Sequence, residues 1–182
     1  MNALMPELAQ RTRPTVAAAL TITVAAATAA ARTELAAFDR ALVAVGAENR
    51  NLIRLSSVIP PAATIVASPA RDGGEWGDRL YVVYAEQRAS MPGAAAWAGV
   101  GWVQDDRTGA GLFVEHEGDS EDEVRALITT SLGELQISRG IAFGPPTMLV
   151  TGIRCLDEPV CALVLAAFGS QDWRDVVSAS CG

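Results

Sequence analysis

Short apolar stretches, several of them alternating with polar residues, predict a chain dominated by β-strands. The predicted strands cover residues 20–24, 64–67, 80–86, 94–103, 111–117, 147–153 and 160–168. In the fifth of these strands, successive side chains point to opposite faces, so His116 is expected on one face and Glu115 on the other.

Two further stretches have the spacing of amphipathic helices. The first begins after the N-cap residue Thr33 and stops at Gly46. The second begins at a capping box formed by Ser120 and Glu123, and it closes at Gly140. We expect the first helix to bury a face made of Leu35, Phe38, Leu42 and Val45. Because helices and strands do not alternate strictly, the pattern predicts an α+β domain with mainly antiparallel sheets and helices on the outside.

The length of 182 residues predicts a single domain, which we place at residues 15–182 after an N-terminal extension of residues 1–14. Arg11 and Arg13 precede an alanine-rich tract, an arrangement that imitates a secretory signal. The Thr, Val and Ile alternation at residues 20–24 instead favours a core strand, and both interpretations stay open. No apolar run is long and uncharged enough to predict a membrane span.

Composition narrows the chemistry that the chain can perform. The net charge of −7 argues against a nucleic-acid surface and is compatible with a cationic ligand. All 14 basic residues are arginine, so pyridoxal phosphate, which needs a lysine, is not expected as a cofactor. The single histidine, His116, excludes a histidine-rich metal site. Cys155, Cys161 and Cys181 are odd in number and lack paired spacing, which predicts reduced thiols in a cytoplasmic protein.

The most unusual stretch of the sequence is residues 51–61, which read as one strand interrupted by Ser56 and Ser57. Pro60 and Pro61 stop it, because proline has no backbone N–H. One interpretation is that the two hydroxyls face solvent or cap a turn. In the other, a strained backbone allows the second serine to attack the peptide carbonyl that precedes it.

Four segments together resemble one known family. They are residues 51–61 (NLIRLSSVIPP), 35–42 (LAAFDRAL), 111–118 (GLFVEHEG) and, more loosely, 161–167 (CALVLAA). These segments are similar to those of the pyruvoyl-dependent arginine decarboxylases. The resemblance implies a four-layer αββα sandwich, assembled as a homotrimer. It also implies that the chain cuts itself between Ser56 and Ser57 into residues 1–56 and 57–182, and that Ser57 becomes a covalent pyruvoyl group.

The resemblance assigns further roles near the cut. Asn51 would polarise the carbonyl of the scissile bond. Glu115 would protonate the carbon from which carbon dioxide has left, and apolar neighbours such as Phe113 would favour the protonated carboxyl that this role needs. Without the resemblance, Asn51 is an ordinary residue of a strand end and Glu115 an ordinary strand carboxylate.

On the substrate side, the resemblance implies that Asp39 receives a guanidinium through two parallel hydrogen bonds. Leu35 and Leu42 would line the same pocket. Glu48 and Arg50 depart from the family pattern, which has small or apolar residues there, and a second cation near a guanidinium site is unfavourable. The exact amino-acid substrate therefore stays open.

Three functions compete at this stage. The first is a self-processing arginine decarboxylase that forms agmatine, with polyamine synthesis as the implied context. The second keeps the pyruvoyl chemistry and acts on another amino acid, and the third is an uncut, non-catalytic trimeric homologue that binds a small ligand. The combined presence of Ser56, Ser57, Asn51 and Glu115 favours an enzyme. No metal, nucleic acid or membrane partner is expected.

Overall fold

The structure is a computed structural model that describes residues 19–70 and 73–174. Its elements, in chain order, are β1 (Thr21–Ala30), α1 (Glu34–Val45), β2 (Asn51–Arg54), β3 (Val58–Ile59), β4 (Thr64–Ala67), β5 (Arg79–Ala89), β6 (Ala95–Gln104), β7 (Gly111–Gly118), α2 (Glu121–Arg139), β8 (Thr147–Arg154) and β9 (Val160–Gln171). The predicted N-terminal extension and Cys181 lie outside the described residues.

The strands form two sheets. Sheet A has the order β2-β5-β9-β1-β4, and sheet B has the order β3-β7-β6-β8. Pairing is antiparallel except between β1 and β4 and between β2 and β5. Three apolar clusters lie between α1 and sheet A, between the two sheets, and between sheet B and α2. The predicted four-layer αββα sandwich with mainly antiparallel sheets is confirmed.

The alanine-rich tract forms an interior strand from Thr21 onward. This strand, β1, lies between β9 and β4 in sheet A. Its alanines pack in the cluster under α1, where short side chains let a helix approach the sheet closely. The tract is therefore part of the core of the fold.

Helix α1 has the predicted boundaries, and its buried face includes the predicted Val45 but not Leu35. The Thr33 side chain accepts the N–H of Ala36 at 3.1 Å, and Gly46 ends the helix in a left-handed conformation with φ 75°. Its buried residues are Ala37, Ala41 and Val45. Leu35, expected on the buried face, is 68% exposed. The expectation was wrong for Leu35 alone, since Phe38 and Leu42 pack against the cluster under the helix; the small alanines let the helix lie close to sheet A.

Helix α2 covers sheet B, and its N-terminus follows the prediction. Ser120 Oγ accepts the N–H of Glu123 at 3.3 Å, while the Glu123 carboxylate reaches back to the N–H of Asp119 at 3.1 Å. Under the helix, β6 has Gly101 at a point where a Cβ atom would collide with Ile128. The glycine thus permits the close packing that fixes α2 over β6 and β7.

Candidate active site

The paired serines lie where the chain passes from one sheet to the other. β2 pairs with β5 in sheet A, whereas β3 pairs with β7 in sheet B. The predicted single interrupted strand is therefore wrong: Ser56 and Ser57 belong to the link between two short strands. The peptide bond between them is part of a crossing between layers and makes no strand pair of its own.

Ser57 has a backbone conformation that is uncommon for a residue with a side chain. Its φ is 65°, in the left-handed region, which costs about 1–2 kcal/mol for a non-glycine residue. Its carbonyl oxygen accepts the N–H of Phe113 on β7 at 2.8 Å, and this bond holds the residue in place. The strain lies at the residue that would attack its own preceding carbonyl.

The Ser57 side chain meets a carboxylate. Its Oγ donates a hydrogen bond to Oε1 of Glu115 on β7. Phe113, two residues before Glu115 and on the same face of the strand, packs in the cluster between the two sheets. A carboxylate at this position can accept the serine proton when the hydroxyl attacks a carbonyl.

His116 points away from this pair, as the alternation predicts. Its Nε2 lies 2.8 Å from Ser131 Oγ on α2. The side chain therefore links β7 to the helix above it. Glu115 and His116 nevertheless both line one cleft, which opens at the edge of β7. Within the described part of the chain, this edge is free at Glu115 and His116, because β3 pairs only with Gly111 and Leu112.

This cleft has a volume of about 470 Å³, enough for a free amino acid. It is lined by Ser56, Ser57, Leu112, Phe113, Val114, Glu115, His116, Thr130, Ser131, Glu134, Leu135 and Arg139. The α2 contribution, above all Ser131, Glu134 and Arg139, was not predicted from the sequence. A signal was present, since Ser131, Leu135 and Arg139 follow at intervals of four residues and share one helix face.

Asn51 lies at the opposite end of β2 from the serines. Its Nδ2 donates to Gly77 O at 2.6 Å, and its backbone N–H donates to Asp78 O at 2.7 Å. The four-residue strand separates it from the crossing by about 10 Å at the usual rise per residue. Asn51 does not line the Ser57 cleft, and its role in polarising the scissile carbonyl stays a prediction.

The predicted substrate residues also lie away from the cleft. Leu35, Asp39 and Leu42 are on α1, which covers the outer face of sheet A. Their spacing of four and three residues places them along one side of the helix, with Asp39 exposed and Leu42 half-buried. Within one copy of the chain, sheet A separates this stripe from sheet B and α2. The structure therefore brings Ser56, Ser57 and Glu115 together, and leaves Asp39 in a second group.

Glu48 and Arg50, the two positions that depart from the family pattern, lie in the connection between α1 and β2. Arg50 donates to the carbonyl oxygens of Gly46 and Ala70, the latter at 2.8 Å, and to Ser170 Oγ at 3.1 Å. It thus ties the end of α1 to β9. Glu48 is half-buried beside it, in a second cleft of about 190 Å³. The Arg50 guanidinium is directed into the protein and not along α1 toward Asp39.

Cys155 and Cys161 are buried free thiols. Burial, with a smaller contribution from the Glu86 carboxylate, raises the pKa of Cys161 to about 12, so its thiol stays protonated at neutral pH. Among residues 19–70 and 73–174, no group of three or more His, Cys, Asp or Glu side chains is arranged to hold a metal ion. Neither described helix is long and apolar enough to cross a membrane.

Known proteins show clear similarity to this chain. The family model for pyruvoyl-dependent arginine decarboxylase matches residues 20–172. A pyruvoyl-dependent arginine decarboxylase of Halobacterium salinarum is 37% identical over 146 residues, which is 78% of this chain and 89% of the relative. One from Thermococcus kodakarensis is 32% identical over 143 residues, covering 78% and 90%. A solved structure of pyruvoyl-dependent histidine decarboxylase overlaps 56% of this chain and 55% of its own, with 14% identity and a TM-score of 0.43.

The αββα sandwich, the serine pair at the sheet crossing and the similarity over most of the chain define a pyruvoyl-dependent decarboxylase. More particularly, the chain belongs to the pyruvoyl-dependent arginine decarboxylase family, whose model covers residues 20–172.

Proposed function

We propose that this chain cuts itself between Ser56 and Ser57 and then decarboxylates arginine to agmatine and carbon dioxide. One observation carries the proposal: Ser57, held in a left-handed conformation, donates its hydroxyl hydrogen bond to the Glu115 carboxylate. Nucleophile and base are thus adjacent, at a residue whose backbone is already strained. The names of the relatives support arginine as the substrate.

The cut follows from the groups around the serine. Glu115 accepts the Ser57 hydroxyl proton while Oγ attacks the Ser56 carbonyl carbon, and the peptide nitrogen leaves as the amine, so that an ester replaces the amide. Loss of the Ser57 Cα proton then expels the Ser56 carboxylate and leaves a dehydroalanine. Water hydrolyses this residue to pyruvoyl with release of ammonia. The products are fragments of 56 and 126 residues, which together make up the 182 residues of the chain.

The surroundings of Ser57 fit the resulting group. Ser57 lies at the mouth of the 470 Å³ cleft, and its own carbonyl is fixed by the Phe113 N–H, so a ketone at its Cα would face both the cleft and Glu115. The pyruvoyl group supplies an electron sink for the electron pair that is released when carbon dioxide leaves. We assign to Glu115 the return of a proton to the substrate carbon, because it lies next to residue 57.

Recognition of the guanidinium end of the substrate would require a second copy of the chain. Asp39 is exposed on α1, on the far side of sheet A from the Ser57 cleft, and it is flanked along the helix by Leu35, which is also exposed. An acid next to exposed apolar surface suits a contact between protomers better than open solvent. We therefore place Asp39 and Leu35 of one protomer, with Leu42, at the cleft of its neighbour in a homotrimer. Buried reduced thiols suit a reducing compartment, and we place the enzyme in the cytoplasm.

The experiment that tests the proposal is a denaturing gel with intact-mass measurement on purified protein. We expect two fragments, the larger without a free amine at its terminus, and no fragments from Ser57→Ala. Carbon dioxide release from arginine should exceed release from lysine, ornithine and histidine. A wild-type chain that persists in one piece would refute self-cleavage and return the chain to a ligand-binding role. If the chain cuts itself but releases carbon dioxide faster from another amino acid, only the assignment of arginine as the substrate is refuted.

A further inference from the structure

The proposed cut turns residue 57 into the end of a polypeptide. The strand before the cut then belongs to the other fragment and no longer restrains residue 57 through the main chain. After the cut, β3 supplies only two residue pairs with β7. Chain ends fray unless they are tied down, so the position of residue 57 beside Glu115 then depends on the Phe113 N–H bond to its carbonyl and on contacts further along the new N-terminal segment.

Ile59 is buried in the core, but the two residues after it cannot be anchored by backbone donors. Pro60 and Pro61 have no backbone N–H and cannot donate to a neighbouring strand. The first donor beyond them is Ala62, whose N–H reaches Thr108 O at 2.7 Å. Ala62 itself has a φ of 61°, so the turn holds a strained conformation that needs support from outside.

Gln104, the last residue of β6, provides that support. Its side-chain Nε2 donates to Ala63 O at 3.1 Å and to Gly109 O at 2.8 Å. One amide group thus uses both of its N–H bonds to join the proline turn to the hairpin at residues 105–109. The hairpin loop is itself held by hydrogen bonds, because the Asp105 carboxylate accepts the backbone N–H groups of Arg107 and Thr108 at 3.0 and 2.8 Å.

We propose that Gln104 is a positioning residue that keeps the terminus at residue 57 beside Glu115 once the chain has been cut. This inference rests on the proposed self-cleavage. Before the cut, the main chain restrains residue 57 from both directions, since the N–H of Leu55 also bonds Val82 O at 2.9 Å. Afterwards only the downstream contacts remain on its own chain: the Phe113 N–H bond to its carbonyl, the buried Ile59 side chain, and the proline turn, to which Gln104 supplies a side-chain hydrogen bond. Its loss should therefore affect the mature enzyme more than the precursor.

The test compares Gln104→Leu and the shape-matched Gln104→Glu, whose ionised side chain cannot donate, with wild type. Three quantities are measured: the rate of the cut on a gel, kcat and KM for arginine, and hydrogen exchange at the amides of Ile59 and Ala62. Exchange is also measured in a Ser57→Ala background, where the chain stays whole. We expect the cut to proceed within about threefold of wild type, while exchange at Ala62 rises about tenfold in the cut protein. In the uncut background the rise should be clearly smaller, and kcat should fall with KM little changed.

Gln171→Leu is the matched control. Gln171 is another partly buried glutamine whose side chain is hydrogen-bonded, to Tyr81 OH at 2.9 Å, but it lies in sheet A. It should leave the cut, the exchange at Ala62 and kcat unchanged. The inference fails if exchange rises equally in cut and uncut protein, or if kcat is unaffected while exchange rises. A wild-type chain that does not cut refutes the proposed function; a wild-type chain that cuts, with Gln104 variants that match the control, refutes this inference alone.

Discussion

The two sides of the Ser56–Ser57 bond are held in different ways. Upstream, all four residues of β2 pair with β5 in sheet A, and Arg54 stacks its guanidinium 4.8 Å above the Tyr84 ring while donating to Tyr84 O at 2.8 Å. Downstream, β3 offers two residue pairs in sheet B, followed by the turn that Gln104 supports. Because the bond joins two sheets and pairs with neither, it can be cut without loss of a single strand pair.

This asymmetry separates two tasks. In the proposed reaction, the upstream side would present the Ser56 carbonyl to the attacking hydroxyl until the bond is broken. The downstream side would keep residue 57 beside Glu115 throughout turnover. Substitutions on the two sides should therefore be distinguishable by whether they slow the cut or slow decarboxylation.

The largest effect is expected from Glu115→Gln, on the downstream side. The glutamine oxygen can still orient the Ser57 hydroxyl but cannot take its proton, so the cut should be much slower and needs a long incubation to reach completion. It cannot supply a proton to the substrate carbon, so carbon dioxide release by the cut protein should fall by about 100-fold or more. Glu117→Gln, two residues further along the same strand, is the control and should retain turnover. Unimpaired turnover in the Glu115 variant would remove Glu115 from the proton-donor role.

The next largest effect is the partial recovery of activity in a mixed assembly. It shows whether Asp39 and Glu115 of one active site come from the same protomer or from two. Asp39→Ala and Glu115→Gln should each be nearly inactive alone. When the two are co-expressed with different tags, random assembly pairs an intact Glu115 with an intact Asp39 at about one quarter of the interfaces, so carbon dioxide release should recover to about a quarter of wild type. A mixed assembly as inactive as either parent would show that Asp39 does not act across a protomer boundary.

The smallest effect is expected on the upstream side. Arg54→Ala removes one hydrogen bond and one stacking contact, each modest in energy, so the cut should slow by about three- to tenfold. Turnover by protein that has finished cutting should be unchanged. Arg125→Ala, which removes an exposed ion pair with Glu121 on α2, is the control for loss of a cation. A normal rate of cutting with reduced kcat would reverse the assignment of tasks to the two sides.

Features that depend on local chemistry were predictable from the sequence. Thr33 and Gly46 mark the ends of α1 because a hydroxyl N-cap and a left-handed glycine satisfy backbone groups within one turn of the chain. The alternation in β7 separates Glu115 from His116 for the same reason, since successive strand residues face opposite ways.

Features that depend on long-range pairing were not predictable in this way. Periodicity shows that residues 51–59 are extended, but it does not show that β2 and β3 pair with different sheets. The exposure of Leu35 follows from how closely alanines let α1 approach sheet A, which depends on β1 and β9. The contribution of α2 to the cleft likewise depends on where the helix crosses the open edge of β7.

The position of β1 between two strands of the larger fragment determines what the proposed cut would leave behind. Residues 1–56 carry β1, α1 and β2, and β1 makes eight residue pairs with β9 while its other edge pairs with β4, both from the larger fragment. The small fragment would thus be held within the large one, because β1 would have to be withdrawn from between β9 and β4 before it could dissociate. If the proposed cut takes place, the two fragments should therefore stay together without a covalent link and separate only when sheet A itself unfolds.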